Sequence, residues 1–141
     1  MLTSRRIFET VAIEDVQDAV RAAGHQAEIA EHDSGRRTLA CATENAKYAV
    51  QFYPNEGHAS NRFGALRFVA WFTADQSDVE FANAFNAKFR FASVVAQDDC
   101  YELQHDVVAI GVTHDYLRLC TEQWATSVDD FIDYEGPDEE V

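Results

Sequence analysis

The sequence predicts an α+β fold, with an antiparallel sheet and helices packed on it, from two observations. Four consecutive strand-like segments follow one another without an intervening helix, which favours antiparallel pairing. Three other segments carry apolar residues at helical spacing, one at the start, one after the fourth strand and one at the end. The predicted order is α-β-β-β-β-α-β-β-α, and a chain of 141 residues suits one domain.

The first half of the chain is predicted to hold one helix and four strands. The helix covers residues 13–23, where Ile13, Val16 and Val20 share one face and Gly24 provides a stop signal. The strands are predicted at residues 25–31, 37–43, 47–53 and 64–73. The fourth strand is apolar on both faces, which is typical of a central strand.

The second half begins with a helix. Ser77-Asp78-Val79-Glu80 predicts a capping box, and the helix should run to about Lys88 with Val79, Ala82 and Phe85 buried. A hairpin of strands is predicted at residues 91–96 and 100–105, followed by a short apolar segment at 106–111. Thr113 is predicted to cap a third helix, whose buried stripe is Leu117, Cys120, Trp124, Val128 and Phe131.

The charge of the chain is strongly acidic and uneven. The formal net charge is −14, which disfavours binding to nucleic acid or to an anionic membrane. No Lys or Arg follows Arg118, but eight acidic residues do. They form either a solvated surface or a surface that attracts a basic partner. We expect one domain over residues 1–134 and a frayed acidic tail at 135–141.

No pattern in the sequence indicates an enzyme or a cofactor. The five histidines have no zinc-binding spacing, and the six glycines form no phosphate-binding loop. The three cysteines, Cys41, Cys100 and Cys120, form no CxxC pair and lie in apolar or acidic surroundings. We therefore expect a non-enzymatic protein without metal or cofactor. The absence of a signal-type segment, a membrane span or paired cysteines predicts a cytoplasmic location.

Five residues are candidates for contact with a partner or a second copy. Val69 and Trp71 lie on the same side of the fourth strand and form either a core facing a helix or an exposed apolar patch. Asn83 and Asn86 lie three residues apart in the second helix, and Arg90 follows its end. Asparagine is a poor helix former, so this pair predicts either hydrogen bonds to a neighbouring segment or a binding surface.

Several linked motifs resemble the bacterial YbjN family over roughly residues 11–133. A Tyr-x-Val-x-Phe strand appears at residues 48–52, and an apolar strand leads to an Asn-x-Phe-Asn helix at 83–86. Arg90-Phe91 opens the next strand, and a tryptophan-containing helix closes the domain. The motifs are weak one by one, but their order and spacing are specific enough to indicate the family.

This resemblance implies a fold similar to that of type III secretion chaperones and a role as a sensory-transduction regulator. It also implies a homodimer that binds a segment of another protein, as a chaperone or a regulatory adaptor. Two alternatives remain open at this point. The aromatic residues could line the pocket of a small-molecule sensor, or dispersed acidic residues and histidines could form a metal-dependent hydrolase site.

Overall fold

The structure is a computed structural model that describes residues 6–54 and 61–137. Within them, eleven elements follow one another: β1 (Ile7–Phe8), α1 (Ile13–Ala22), β2 (Gln26–Glu31), β3 (Arg37–Ala42), β4 (Lys47–Pro54), β5 (Phe63–Thr73), α2 (Val79–Lys88), β6 (Ser93–Ala96), β7 (Cys100–Val108), β8 (Val112–Thr113) and α3 (His114–Asp133). The predicted α+β class and the predicted order of the main elements are confirmed.

The main sheet has six antiparallel strands in the order β2-β3-β4-β5-β7-β6. The 11-residue β5 lies inside the sheet between β4 and β7, as its apolar character on both sides predicts. The strands β2 and β6 form the two edges. A separate ribbon joins β1 to β8.

The hydrophobic core lies between one face of the sheet and the helices. Trp124 of α3 is fully buried, and its ring centroid lies 5.7 Å from that of Phe68 and 5.8 Å from that of Tyr48. At the other end, Phe85 of α2 packs edge-on against Phe131 of α3 at 5.2 Å. Alternate residues of the strands supply the opposite wall of this core, because strand side chains alternate between faces.

The structure corrects several local predictions in the second half. Asp78, and not Ser77, caps α2, because its carboxylate accepts the Glu80 N–H at 2.9 Å. Val79 is 62% exposed and does not join the buried stripe. The strand β6 begins at Ser93, later than predicted.

Two further corrections concern the strands. The hairpin strand predicted to end at residue 105 continues into the short apolar segment as far as Val108, since Val107 pairs with Leu66 and is buried. The strands β1 and β8 were not predicted, because two residues are too few to show an alternation.

Of the predicted frayed tail, residues 138–141 lie outside the described residues, and Gly136 lies close to the ring of Phe81.

Candidate interaction surface

One face of the sheet points away from the helices, and we call it the outer face. Its side chains alternate along each strand with those of the core, and cross-strand partners share it. The outer face includes Glu28, Ala30, Thr38, Ala40, Lys47, Ala49, Gln51, Arg67, Val69, Trp71, Glu102, Gln104 and Asp106. It contains both of the strand residues that the sequence singled out.

Val69 and Trp71 share the outer face but differ in exposure. Val69 is 1% exposed, yet it lies outside the core that the helices form with the sheet. Its cross-strand partners are Ala49 and Gln104. Trp71 is 50% exposed, so the predicted patch is centred on the indole ring rather than on the valine.

Trp71 is held in place by a polar contact at one edge of its ring. Its Nε1 donates a hydrogen bond of 2.8 Å to Oε1 of Glu102, the residue opposite it on β7. The indole N–H is therefore satisfied, and the exposed part of the ring is apolar. A large aromatic surface with its polar group already bonded suits a protein-binding anchor.

A shallow groove of ≈ 380 Å³ runs beside this ring. Its walls include Ala30, Thr38, Ala40 and Ala49, whose small side chains leave space above the strands, and Trp71 forms one side. The groove opens to solvent on the outer face. It offers an apolar depression next to a projecting aromatic ring.

The outer face has nearly balanced charge, in contrast to the whole chain. Arg67 and Asp106 lie opposite each other and form a two-pronged ion pair of 2.7 Å and 3.0 Å. This hydrogen bonding lowers the pKa of Asp106 and raises that of Arg67. The charged residues of the face are Lys47, Arg67, Glu28, Glu102 and Asp106, and Glu28 is in turn paired with Arg21 of α1 at 3.3 Å.

Asn86 has a structural role at the edge of the sheet. Its Nδ2 donates to the carbonyl of Val94 at 2.9 Å, and its Oδ1 accepts the N–H of Val94 at 2.7 Å. These two bonds occupy backbone groups of the edge strand β6 that face away from β7. Asn86 therefore agrees with the first interpretation of the asparagine pair, in which the side chain forms hydrogen bonds to a neighbouring segment.

The structure does not bring Asn83 and Arg90 to the outer face. Both are exposed, and neither makes a side-chain hydrogen bond or an ion pair within the described residues. Asn83 lies on α2, on the helical side of the sheet. Of the five candidates, two therefore lie on the outer face and three lie on α2 or just after its end.

Sequence reasoning did not identify Phe91 as unusual. It has a φ of 76°, in the left-handed region that a residue with a side chain seldom adopts, and its ring is 65% exposed. A hydrogen bond joins Nδ1 of His105 to its carbonyl oxygen. A positive φ is not expected at a phenylalanine, so the sequence gives no sign of this conformation.

The buried cysteines are not in reactive surroundings. Burial raises the pKa of Cys41 to about 12, and burial also raises the pKa of Cys120. Burial likewise raises the pKa of Tyr48, whose hydroxyl lies 2.7 Å from Nδ1 of His25. Within residues 6–54 and 61–137, no three His, Cys, Asp or Glu residues converge in a way that could hold a metal ion.

A protein-family profile described as "YbjN: Putative bacterial sensory transduction regulator" matches residues 12–134 of this sequence. The chain belongs to the YbjN family. The family that the motifs indicated is thereby confirmed over most of the chain. A comparison with curated proteins finds no match. Across the part of the chain that the structure describes, no helix of this YbjN protein is long and apolar enough to cross a membrane.

Proposed function

We propose that this YbjN protein is a non-enzymatic protein-binding adaptor of the cytoplasm and that the outer face of the sheet is its binding surface. The observation that carries the proposal is the half-exposed Trp71 beside the alanine-lined groove. Trp71 lies on the outer face of the interior strand β5, two residues from its end, and is half exposed there, and tryptophan is enriched at binding hot spots.

The geometry of the outer face suits a protein partner. The groove and the ring offer apolar surface, and Gln51, Gln104 and the Arg67–Asp106 pair supply polar groups on the same face. An apolar centre with a polar rim is the common anatomy of a protein interface. The net charge of −14 also disfavours a nucleic-acid partner.

The proposed adaptor and homodimer roles depend on the similarity to type III secretion chaperones that the YbjN resemblance implies. Such a role needs a binding surface and no catalytic group, and the buried Cys41 and Cys120, with their raised pKa values, are poor nucleophiles. The three free thiols are consistent with a reducing compartment. In this proposal Asn86 supports the fold, while Asn83 and Arg90 are candidates for a secondary contact near α2.

The test is quantitative affinity capture from the native cells with three tagged proteins. The wild type should retain a protein partner at near-equal amounts, and Trp71→Ser should lose it. Leu119→Ser is the matched control, because Leu119 is 60% exposed but lies on α3, on the helical side. Equal retention by Trp71→Ser and wild type would refute the outer face as the binding surface.

A further inference from the structure

We infer that a cavity at one end of the main sheet binds a small organic phosphate that carries a planar ring, such as a mononucleotide. The cavity has a volume of ≈ 620 Å³, which is within the range of ligand sites. It shares no lining residue with the groove beside Trp71, so this binding goes beyond the proposed function. Its position, its two arginines and its aromatic wall support the assignment.

The cavity lies where β3 and β4 part from each other. The last backbone pair at this end of the two strands joins Leu39 to Val50, and none follows it among their described residues. The strand β4 continues to Pro54 in pairing with β5, on its other side. The gap is bordered by the start of β3, the end of β4 and Ile13, the first residue of α1. The opening is therefore a consequence of how the strands are paired.

The charge of the cavity is opposite to that of the whole chain. Among the described residues that line it, the charged ones are Arg36 and Arg37, although the chain has 25 acidic and 11 basic residues. Neither arginine forms an ion pair with a described residue, and this includes Glu31, which lies opposite Arg37 on β2. Arg37 is also partly buried. Two such guanidinium groups at a cavity favour the binding of an anion.

The two adjacent arginines suit a phosphate group. A guanidinium group is planar and presents a fork of N–H donors, which matches the oxygens of a phosphate. A phosphate monoester carries a charge of about −1.5 to −2 and three strong acceptor oxygens. Arg36 and Arg37 together can offset that charge, whereas a carboxylate needs only one of them.

The aromatic wall of the cavity suits a planar ring. Phe52 and Phe63 are in contact, with ring centroids 5.3 Å apart, and the guanidinium group of Arg36 lies 5.7 Å from the ring centroid of Tyr53. Phe52 is almost fully buried, while Phe63 and Tyr53 keep part of their surface open. Aromatic side chains stack on nucleobases without requiring a particular base. The wall therefore predicts a ring next to the phosphate and little preference among bases.

The first experiment is isothermal titration calorimetry on the purified full chain. The probes are AMP, GMP, CMP and UMP, with adenosine and inorganic phosphate as partial ligands. We expect saturable binding of the mononucleotides. Adenosine should bind at least about 10-fold more weakly than AMP because it lacks the charge, and inorganic phosphate should bind more weakly because it lacks the ring. Added salt should weaken the binding of AMP.

The second experiment repeats the titration with variants of the cavity. Arg37→Gln should weaken AMP binding by about 10- to 100-fold, because it removes a hydrogen bond between two charged groups, and Arg36→Gln is a second, independent variant. Phe63→Leu should weaken AMP binding by about fivefold or more and leave that of inorganic phosphate unchanged. Arg118→Gln is the matched control, because it makes the same change in net charge on α3, at a residue paired with Glu122. Circular dichroism should show the same fold for all of them.

The outcomes separate this inference from the proposed function. Absence of saturable binding for all four mononucleotides overturns it, and so does adenosine that binds as tightly as AMP. An AMP affinity that neither Arg36→Gln nor Arg37→Gln lowers also overturns it. Inorganic phosphate that binds as tightly as AMP overturns the planar ring. Trp71→Ser should bind AMP like the wild type, so loss of the protein partner and loss of the nucleotide are distinguishable.

Discussion

The double hydrogen bond of Asn86 gives a prediction with a built-in control. Asn86→Ala removes both bonds to Val94, at 2.9 Å and 2.7 Å. Each bond contributes about 1 kcal/mol, and because the site is only partly buried, water recovers some of the loss, leaving about 1–2 kcal/mol. Alanine improves helix propensity by about 0.5 kcal/mol at the same time. We therefore expect a net loss of about 1 kcal/mol in the free energy of unfolding.

Asn83→Ala is the matched control on the same helix. Asn83 is exposed and makes no side-chain hydrogen bond within the described residues, so the variant should gain about 0.5 kcal/mol from helix propensity alone. Urea unfolding measures both variants at a common m-value. Amide exchange of Val94, whose N–H donates to Asn86, should accelerate only in Asn86→Ala. Equal stabilities for the two variants would refute the structural role of Asn86.

Three further outcomes follow from local geometry. Phe91→Gly should be more stable than Phe91→Ala by about 1 kcal/mol in urea unfolding, because both lose the ring but only glycine adopts a φ of 76° without strain. Burial lowers the pKa of His25 from 6.5, although the negative charge of Glu122 opposes this shift. The free energy of unfolding of the wild type should therefore fall as the pH drops below about 6.5, and His25→Gln should flatten that part of its pH dependence. Trp124→Ala should cost about 3–5 kcal/mol in the same assay, since the ring is fully buried.

The architecture could be predicted from the sequence because its signals are periodic. The apolar stripe of α3 from Leu117 to Phe131 and the uninterrupted run of strands before α2 are long enough to show their periods. The prediction failed where segments are short, as in β1 and β8, or where two residues compete for a cap, as Ser77 and Asp78 do.

The candidate surface could be predicted only in part. The alternation of side chains along β5 places Val69 and Trp71 on the same face. It does not show that Val69 is 1% exposed and Trp71 50% exposed, because side chains of the neighbouring strands determine how far each residue is buried. Asn83 and Asn86 look equivalent in the sequence. Only the fold shows that β6 lies beside Asn86 and that the backbone of Val94 forms hydrogen bonds with both the Nδ2 and the Oδ1 of Asn86.

The most direct test of the proposed function is photo-crosslinking in the native cells from position 71. A benzophenone amino acid replaces Trp71 in one strain and the similarly exposed Leu119 in another. The account predicts a covalent protein adduct from position 71 that is absent from position 119, and an adduct of two chains of 15.9 kDa if the occupant is a second copy. A chain that is expressed and folded but forms no adduct from position 71 would contradict the outer face as a protein-binding surface.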